Sequence, residues 1–326
     1  MKVVITGGAG FLGLRLARKL LERGALTGAS GRPEAITRIV LVDIAGAGLD
    51  DARVTHLVGD IASPAFIASA IGSDTASVFH FAAVVSGQAE ADFDLGMRVN
   101  LDATRTILEA CRGLPSPPRV VFASSCAVFG GALPPLVPES WNLQPQTSYG
   151  TQKAIGELLV NDYSRKGFID GRALRLPTIC VRPGKPNKAA SSFASGIIRE
   201  PLAGVDAICP VAPGVPMWLS SPGTVVGHFI EAHEAPASAF GFSRSLNLPG
   251  ITVTVGEMVA TLERVAGKEA ASRVRWQPDA HVAKIVAGWP AAIETRRAQA
   301  MGMKSDPGFE ALVRAFMAEE HPGRQG

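Results

Sequence analysis

Short apolar runs of high β propensity recur along the chain with helical patterns between them. This alternation constrains the fold more than any other feature of the sequence. The runs "KVVIT", "RIVLVD", "VTHLV", "SVFHFAA", "RVVFAS" and "RALRLP" are apolar on both faces, and between the first two lies a helical stretch, Leu12 to Arg23, with Leu16, Leu20 and Leu21 on one side. Strands that are apolar throughout and separated by helices belong to a parallel sheet covered on both faces. The expected fold is therefore α/β, with a doubly wound parallel sheet.

After Pro177 the character changes, with Pro, Gly and Ser concentrated in "PTICVRPGKPNKAASSF" and "CPVAPGVPMWLSSPG". The last third carries amphipathic helical patterns, "VGEMVATLERVAG" and "FEALVRAFMAEE", and few strand-like runs, apart from "SLNLP". The expected division is a first domain over 1–182, with returning segments at about 221–249, and a smaller, irregular C-terminal substrate lobe over 183–220 and 250–326. The closing "HPGRQG" reads as a frayed tail.

Composition excludes several classes of function. The 326 residues carry a net charge of only +3 and no basic run, so nucleic acid is not an expected partner. Cys111, Cys126, Cys180 and Cys209 show no CxxC or Cys/His ligand spacing; free thiols and no metal are expected. The start, Met1-Lys2 followed by "VVITGG", does not have the form of a secretory leader. No segment approaches the ~18 apolar residues of a membrane span, so neither a membrane partner nor a location outside the cytoplasm is expected.

"TGGAGFLG" sets Gly7, Gly10 and Gly13 directly after the first strand and at the start of the first helix. In a dinucleotide site such glycines permit a tight turn and close approach to a pyrophosphate. The helix start, at Phe11 and Leu12, supplies N–H groups and a favourable dipole. Asp43 ends the second strand, where a carboxylate accepts hydrogen bonds from a ribose 2′-hydroxyl and repels a 2′-phosphate. That favours NAD over NADP. Asp60-Ile61 lies one strand further on, where an adenine is read. "HFAA" puts the small residues Ala82 and Ala83 where a cofactor backbone approaches, and His80 reads as a core histidine. Asn100 is either a solvated helix residue or a polar bridge from helix to active-site backbone.

Ser124 and Ser125 end the apolar strand in "VFASSCAVFGG", and ligands bind at such carboxyl ends. "SYGTQK" then places Tyr149 and Lys153 on one face of a helix. Ile155, Leu158, Leu159 and Tyr163 form an apolar stripe expected to pack while Tyr149 and Lys153 point elsewhere.

In this order and over most of the chain, these motifs resemble the extended short-chain dehydrogenase/reductase family, which also includes nucleotide-sugar epimerases and dehydratases. The resemblance implies a Rossmann domain binding NAD. It implies a catalytic set in which Ser125 holds the substrate oxygen, Tyr149 exchanges its proton and Lys153 binds the nicotinamide ribose, with Thr178 also near the cofactor. A lysine cation one turn away and the positive nicotinamide would both favour the phenolate of a group whose ordinary pKa is near ~10. Pro177-Thr178 replaces the aromatic and asparagine usual in family members acting on nucleotide sugars. The pattern from "RLPTICVRPG" onward looks closest to a branch that oxidises the 2-hydroxyl of a four-carbon sugar acid. The alternative is a nucleotide-sugar epimerase or dehydratase with tightly held NAD. Expected contacts to the small-molecule sugar acid are Ser86, Ser125, Tyr149, Lys185, Asn187, Ser192 and Arg244, with Gln88, Lys188 and Ser191 nearby. A homodimer through helix pairs is a further possibility that the resemblance implies.

Overall fold

The computed structural model describes residues 1–186 and 189–320; Asn187, Lys188 and the closing "HPGRQG" lie outside them. Seven strands form one sheet: β1 (Lys2–Thr6), β2 (Arg38–Asp43), β3 (Val54–Val58), β4 (Thr75–His80), β5 (Arg119–Ser125), β6 (Asp170–Leu176) and β7 (Ser245–Asn247). Their order is β3-β2-β1-β4-β5-β6-β7. β1 runs parallel to β2 and β4, β2 to β3, and β4 to β5. The winding reverses between β1 and β4, which opens a crevice at the carboxyl ends of these strands. Six of the seven are apolar runs identified in the sequence, and β7 falls in the strand-like "SLNLP". The interiors of the inner strands, such as Val3 to Ile5, Ile39 to Val42 and Val120 to Phe122, are buried, as two-sided coverage requires, while the edge strand β3 is only partly covered.

The chain forms two compact units. The first comprises Met1–Val128, Thr147–Arg175 and Val226–Leu246; the second comprises Phe129–Gln146, Leu176–Val225 and the chain from Asn247 onward. The turnover at Arg175 differs from the expected 182, and residues 129–146 group with the second unit. The reason is long-range pairing: the Val137 N–H donates to the Ala292 carbonyl (2.9 Å) and the Glu294 N–H donates back to the Val137 carbonyl (2.9 Å). Nothing local in a proline-rich stretch announces such a pair.

The second unit has its own core, including Ile197, Ile198, Leu219, Met258, Leu262, Val313 and Phe316. It is less irregular than expected. Thr178–Ile179, Pro216–Ser220 and Ile251–Thr254 form a three-stranded sheet, and Ala207–Cys209 pairs with Val274–Trp276. These strands are short and flanked by Pro or Gly, so they left little periodicity to read. In the first unit the inserted segment before β2 is a hairpin, Ala25–Thr27 against Pro33–Ala35.

Two helices position the site. α1 (Phe11–Arg23) buries Leu16, Ala17 and Leu20. α2 (Ser148–Arg165) is capped by the Thr147 hydroxyl, which accepts from the Gly150 N–H (3.1 Å). The apolar stripe expected to pack on α2 does so only in part, with Leu159 and Tyr163 against the core of the first unit. Leu158 is 65% exposed, Ile155, Leu159 and Tyr163 are only partly covered, and the inward face carries Gln152, Lys153, Gly156, Glu157 and Val160. Gly156 explains this orientation, because a Cβ there would lie 2.7 Å from the Phe122 ring. The helix comes close to β5 on its narrow face, and that choice buries Lys153. Among the described residues no helix is long and apolar enough to cross a membrane.

Candidate active site

The glycine turn leaves β1 at Gly7, which has φ +71°; a Cβ on Gly7 would lie 2.8 Å from the Ala82 nitrogen. Ala82 follows β4, so the turn and the Ala82-Ala83 backbone close on each other at adjacent strand ends. The Gly10 N–H donates to the Gly7 carbonyl (3.0 Å), and α1 begins at Phe11 with no side-chain cap and no acid in its first turn. The N–H groups of Phe11, Leu12 and Gly13 thus form a helix start suited to an anion.

Asp43, at the end of β2, accepts from the Ala9 N–H through Oδ2 (3.0 Å) and from the Ile44 N–H through Oδ1 (2.7 Å). The acid therefore stands against the glycine turn, although the insertion before β2 lengthens the sequence between them. Asp60 follows β3; its Oδ1 accepts from the Ala62 N–H (2.9 Å), its other oxygen pairs with Arg98, and Ile61 is buried beside it. A backbone cradle that one added carbon would fill, a helix start free of acids and a strand-end carboxylate together fit a dinucleotide.

Behind this surface runs a closed polar circuit. The Thr104 hydroxyl donates to the Asn100 carbonyl (2.7 Å), so His80 Nε2 carries the proton and donates to Thr104 (3.0 Å), while Nδ1 accepts from the Thr6 hydroxyl (2.6 Å). Burial, with Lys153 adding to it, pushes the His80 pKa down to about 3. His80 is thus a neutral core group.

Asn100 is 1% exposed and bridges helix to loop: Oδ1 accepts from the Val84 N–H (2.9 Å), and Nδ2 donates to the Val84 carbonyl (3.2 Å) and to Gln152 Oε1 (2.8 Å). It sits in a π-helical turn, Met97–Asp102, a widening often found at functional positions.

Ser125 closes β5, and its Oγ accepts from the Ala127 N–H (3.1 Å). Lys153 reaches the same strand end, where Nζ donates to the Ala123 carbonyl (2.8 Å) and lies 4.7 Å from the Phe122 ring centroid and 5.6 Å from that of Tyr149. Burial drives the Lys153 pKa down to about 7, against the raising influence of Glu157. Glu157 accepts from the Ser124 hydroxyl (2.5 Å) and is forked by Arg175 Nε (2.9 Å) and Nη2 (2.7 Å). Sequence reasoning missed Gln152, Glu157 and Arg175. The signal for Glu157 was present, since it stands four residues after Lys153 and so on the same helix face.

The remaining expected contacts fall in different places. Ser86 and Gln88 lie in the first turn of the short helix Ser86–Ala91. Thr178 belongs to the second unit's sheet, Lys185 is exposed in the loop beyond it, and Ser192 opens the helix Ser192–Leu202; Asn187 is outside the described residues.

Arg244 is a correction. Its guanidinium pairs with Asp170 (3.1 Å), which also holds Arg172 (2.8 Å) and Arg119 (3.5 Å). Asp170 and Arg119 open β6 and β5, so Arg244 is committed at the amino ends of the strands, away from Ser125. The strand expected in "SLNLP" is present, but the residue preceding it sits at the far end of the sheet.

The profile of the NAD dependent epimerase/dehydratase family matches residues 3–218. The chain belongs to this family. NAD is accordingly its cofactor, in agreement with the cradle described above. The chain is 59% identical over 320 residues to D-erythronate dehydrogenase of Cupriavidus necator, covering 98% of both chains. It is 46% identical to the D-erythronate dehydrogenase of Haemophilus influenzae, covering 97% of this chain and 99% of that one. Among solved structures, the nucleoside-diphosphate-sugar epimerase from Agrobacterium tumefaciens matches with a TM-score of 0.90 at 40% identity, covering 99% of this chain and 95% of that one.

Proposed function

We propose that the protein is a cytoplasmic NAD-dependent dehydrogenase that oxidises the 2-hydroxyl of a small sugar acid, D-erythronate to 2-dehydro-D-erythronate. The observation that carries the substrate is the 59% identity to a D-erythronate dehydrogenase over nearly the whole of both chains. NAD, when bound, supplies the hydride acceptor. Tyr149 takes the proton from the substrate hydroxyl, and Ser125 orients that oxygen from the end of β5. Lys153, held on the Ala123 carbonyl, provides the positive charge that favours phenolate over phenol. Asn100 and Gln152 keep the loop after β4 in shape, so Ala82 and Ala83 meet the glycine turn in one geometry. Lys185, Asn187 and Ser192 are proposed contacts to the substrate carboxylate, and Ser86 to a hydroxyl.

The test is NADH formation by the purified protein with NAD and a panel of three- to six-carbon 2-hydroxy acids, with UDP-galactose and UDP-glucose followed by product analysis. Turnover confined to a sugar acid is the expected result. The second reading, a nucleotide-sugar epimerase, has in its favour the name of the 40% identical structure. It requires interconversion of a nucleotide sugar without net NADH release, and silence with every acid would establish it over the first.

Asp43 is proposed to select NAD. Like charges brought together cost several kcal/mol, so Asp43→Ala is expected to raise kcat/KM with NADP relative to NAD at least about tenfold. An unchanged ratio in steady-state kinetics with both cofactors would assign the discrimination to another group.

A further inference from the structure

Lys153 and Glu157 are each 2% exposed and stand one helical turn apart on the inward face of α2. Each holds the strand that ends in Ser125: Lys153 through the Ala123 carbonyl (2.8 Å), Glu157 through the Ser124 hydroxyl (2.5 Å). Arg175 of β6 forks the same carboxylate. The groups around Lys153 are Tyr149 and Glu157 from its own helix, the Phe122 ring and Ala123 carbonyl from β5, and His80 from β4, with Arg175 beyond Glu157. Burial holds the His80 pKa down to about 3, so it is neutral across the pH range tested below. Of these groups only Glu157 is an anion.

We propose that Glu157 is a positioning residue that sets how one proton is shared between Tyr149 and Lys153. The inference rests on the reading of Tyr149 as base and Lys153 as its partner. Phenolate with ammonium, and phenol with amine, contain the same number of protons: passing from the second to the first breaks the tyrosine O–H bond and forms a lysine N–H bond. Changing pH therefore cannot interconvert them, and only the local field decides their ratio.

Glu157 lies about 6 Å along the helix from Lys153 and about 12 Å from Tyr149. Its charge favours the ammonium more than it opposes the phenolate, so it enriches the form that can accept a substrate proton. Arg175 and Ser124 hold the carboxylate in place for this role. Burial, partly offset by Glu157, brings the Lys153 pKa down to about 7, the range in which a neighbouring anion has most influence.

The discriminating measurement is kcat/KM across pH for Glu157→Gln. In acid the pair holds both protons, and the rate follows the ease of forming phenolate beside an ammonium, to which Glu157 contributes little. At higher pH one proton remains, and without the carboxylate it stays on Tyr149. The expected deficit is within about twofold near pH 6 and about tenfold near pH 8, for a shift of one unit in the Lys153 equilibrium.

Glu157→Asp keeps the charge while withdrawing from Ser124, so any deficit should be the same factor at every pH. If the unpaired Arg175 prevents Glu157→Gln from folding, Glu157→Gln/Arg175→Met removes both buried charges and should show a deficit that still grows with pH, smaller because the opposing field of Arg175 is removed as well. A pH-independent deficit in the folded Gln variant, single or double, overturns the proposal, as does a pH-dependent one in Glu157→Asp. Tyr149→Phe run in parallel separates the two levels: turnover by that variant would remove the underlying reading, whereas an inert Tyr149→Phe with flat Glu157→Gln ratios would remove only this inference.

Discussion

Tyr149→Phe is expected to lower kcat by at least about a thousandfold, within the range that a positioned general base contributes, while NAD affinity stays within about threefold of the parent. The reason is the economy of the change. Phenylalanine keeps the ring that lies 5.6 Å from Lys153 Nζ, and the buried face of α2, from Gly150 through Val160, is untouched. What disappears is the oxygen proposed to receive the substrate proton. Equilibrium titration with NAD and steady-state turnover on the same preparation separate the two effects, because a folded, NAD-binding, inert variant locates the loss in chemistry. Substantial activity in Tyr149→Phe would mean that another group accepts the proton and that the Tyr149–Lys153 pair is structural.

Gly7→Ala is expected to weaken NAD binding at least about a hundredfold, which corresponds to about 2.7 kcal/mol. Two costs combine. The positive φ of +71° penalises any L side chain by roughly 1–2 kcal/mol. The added carbon would also stand 2.8 Å from the Ala82 nitrogen, 3.0 Å from the Phe81 carbonyl carbon and 3.1 Å from the Ala82 Cα. All three are backbone atoms of the segment that Asn100 and the Thr6–His80–Thr104 circuit hold in place, so no flexible side chain can yield. The turn must move, and with it the N–H groups of α1 proposed to face the pyrophosphate. Calorimetric titration checks the affinity, and far-ultraviolet circular dichroism checks that the sheet persists. Undiminished affinity would show that the pyrophosphate does not rest on this turn.

Much of this was legible in the sequence, and the division follows the range of the interactions involved. A strand buried on both faces is apolar along its length, so the inner strands of the sheet announced themselves locally; a glycine turn between strand and helix is likewise a local pattern, as is a Tyr/Lys pair one helical turn apart. Which face of α2 turns inward was not local. The stripe of Ile155, Leu158 and Leu159 had the more apolar pattern, yet Gly156 lets its own side of the helix approach Phe122, which leaves Leu158 outside and carries Lys153 and Glu157 into the interior.

The same limit applies to Arg244, whose role depends on Asp170 more than seventy residues away, and to residues 129–146, which join the second unit through strand-like pairing near Ile293. The sequence by itself determined the sheet, the glycine turn and the Tyr/Lys pair on one helix, because hydrophobic periodicity and backbone freedom are properties of neighbouring residues. Only the tertiary structure decided which charges are buried together, because close packing between distant segments selects one face of a helix and so sets the electrostatic surroundings of every group on it.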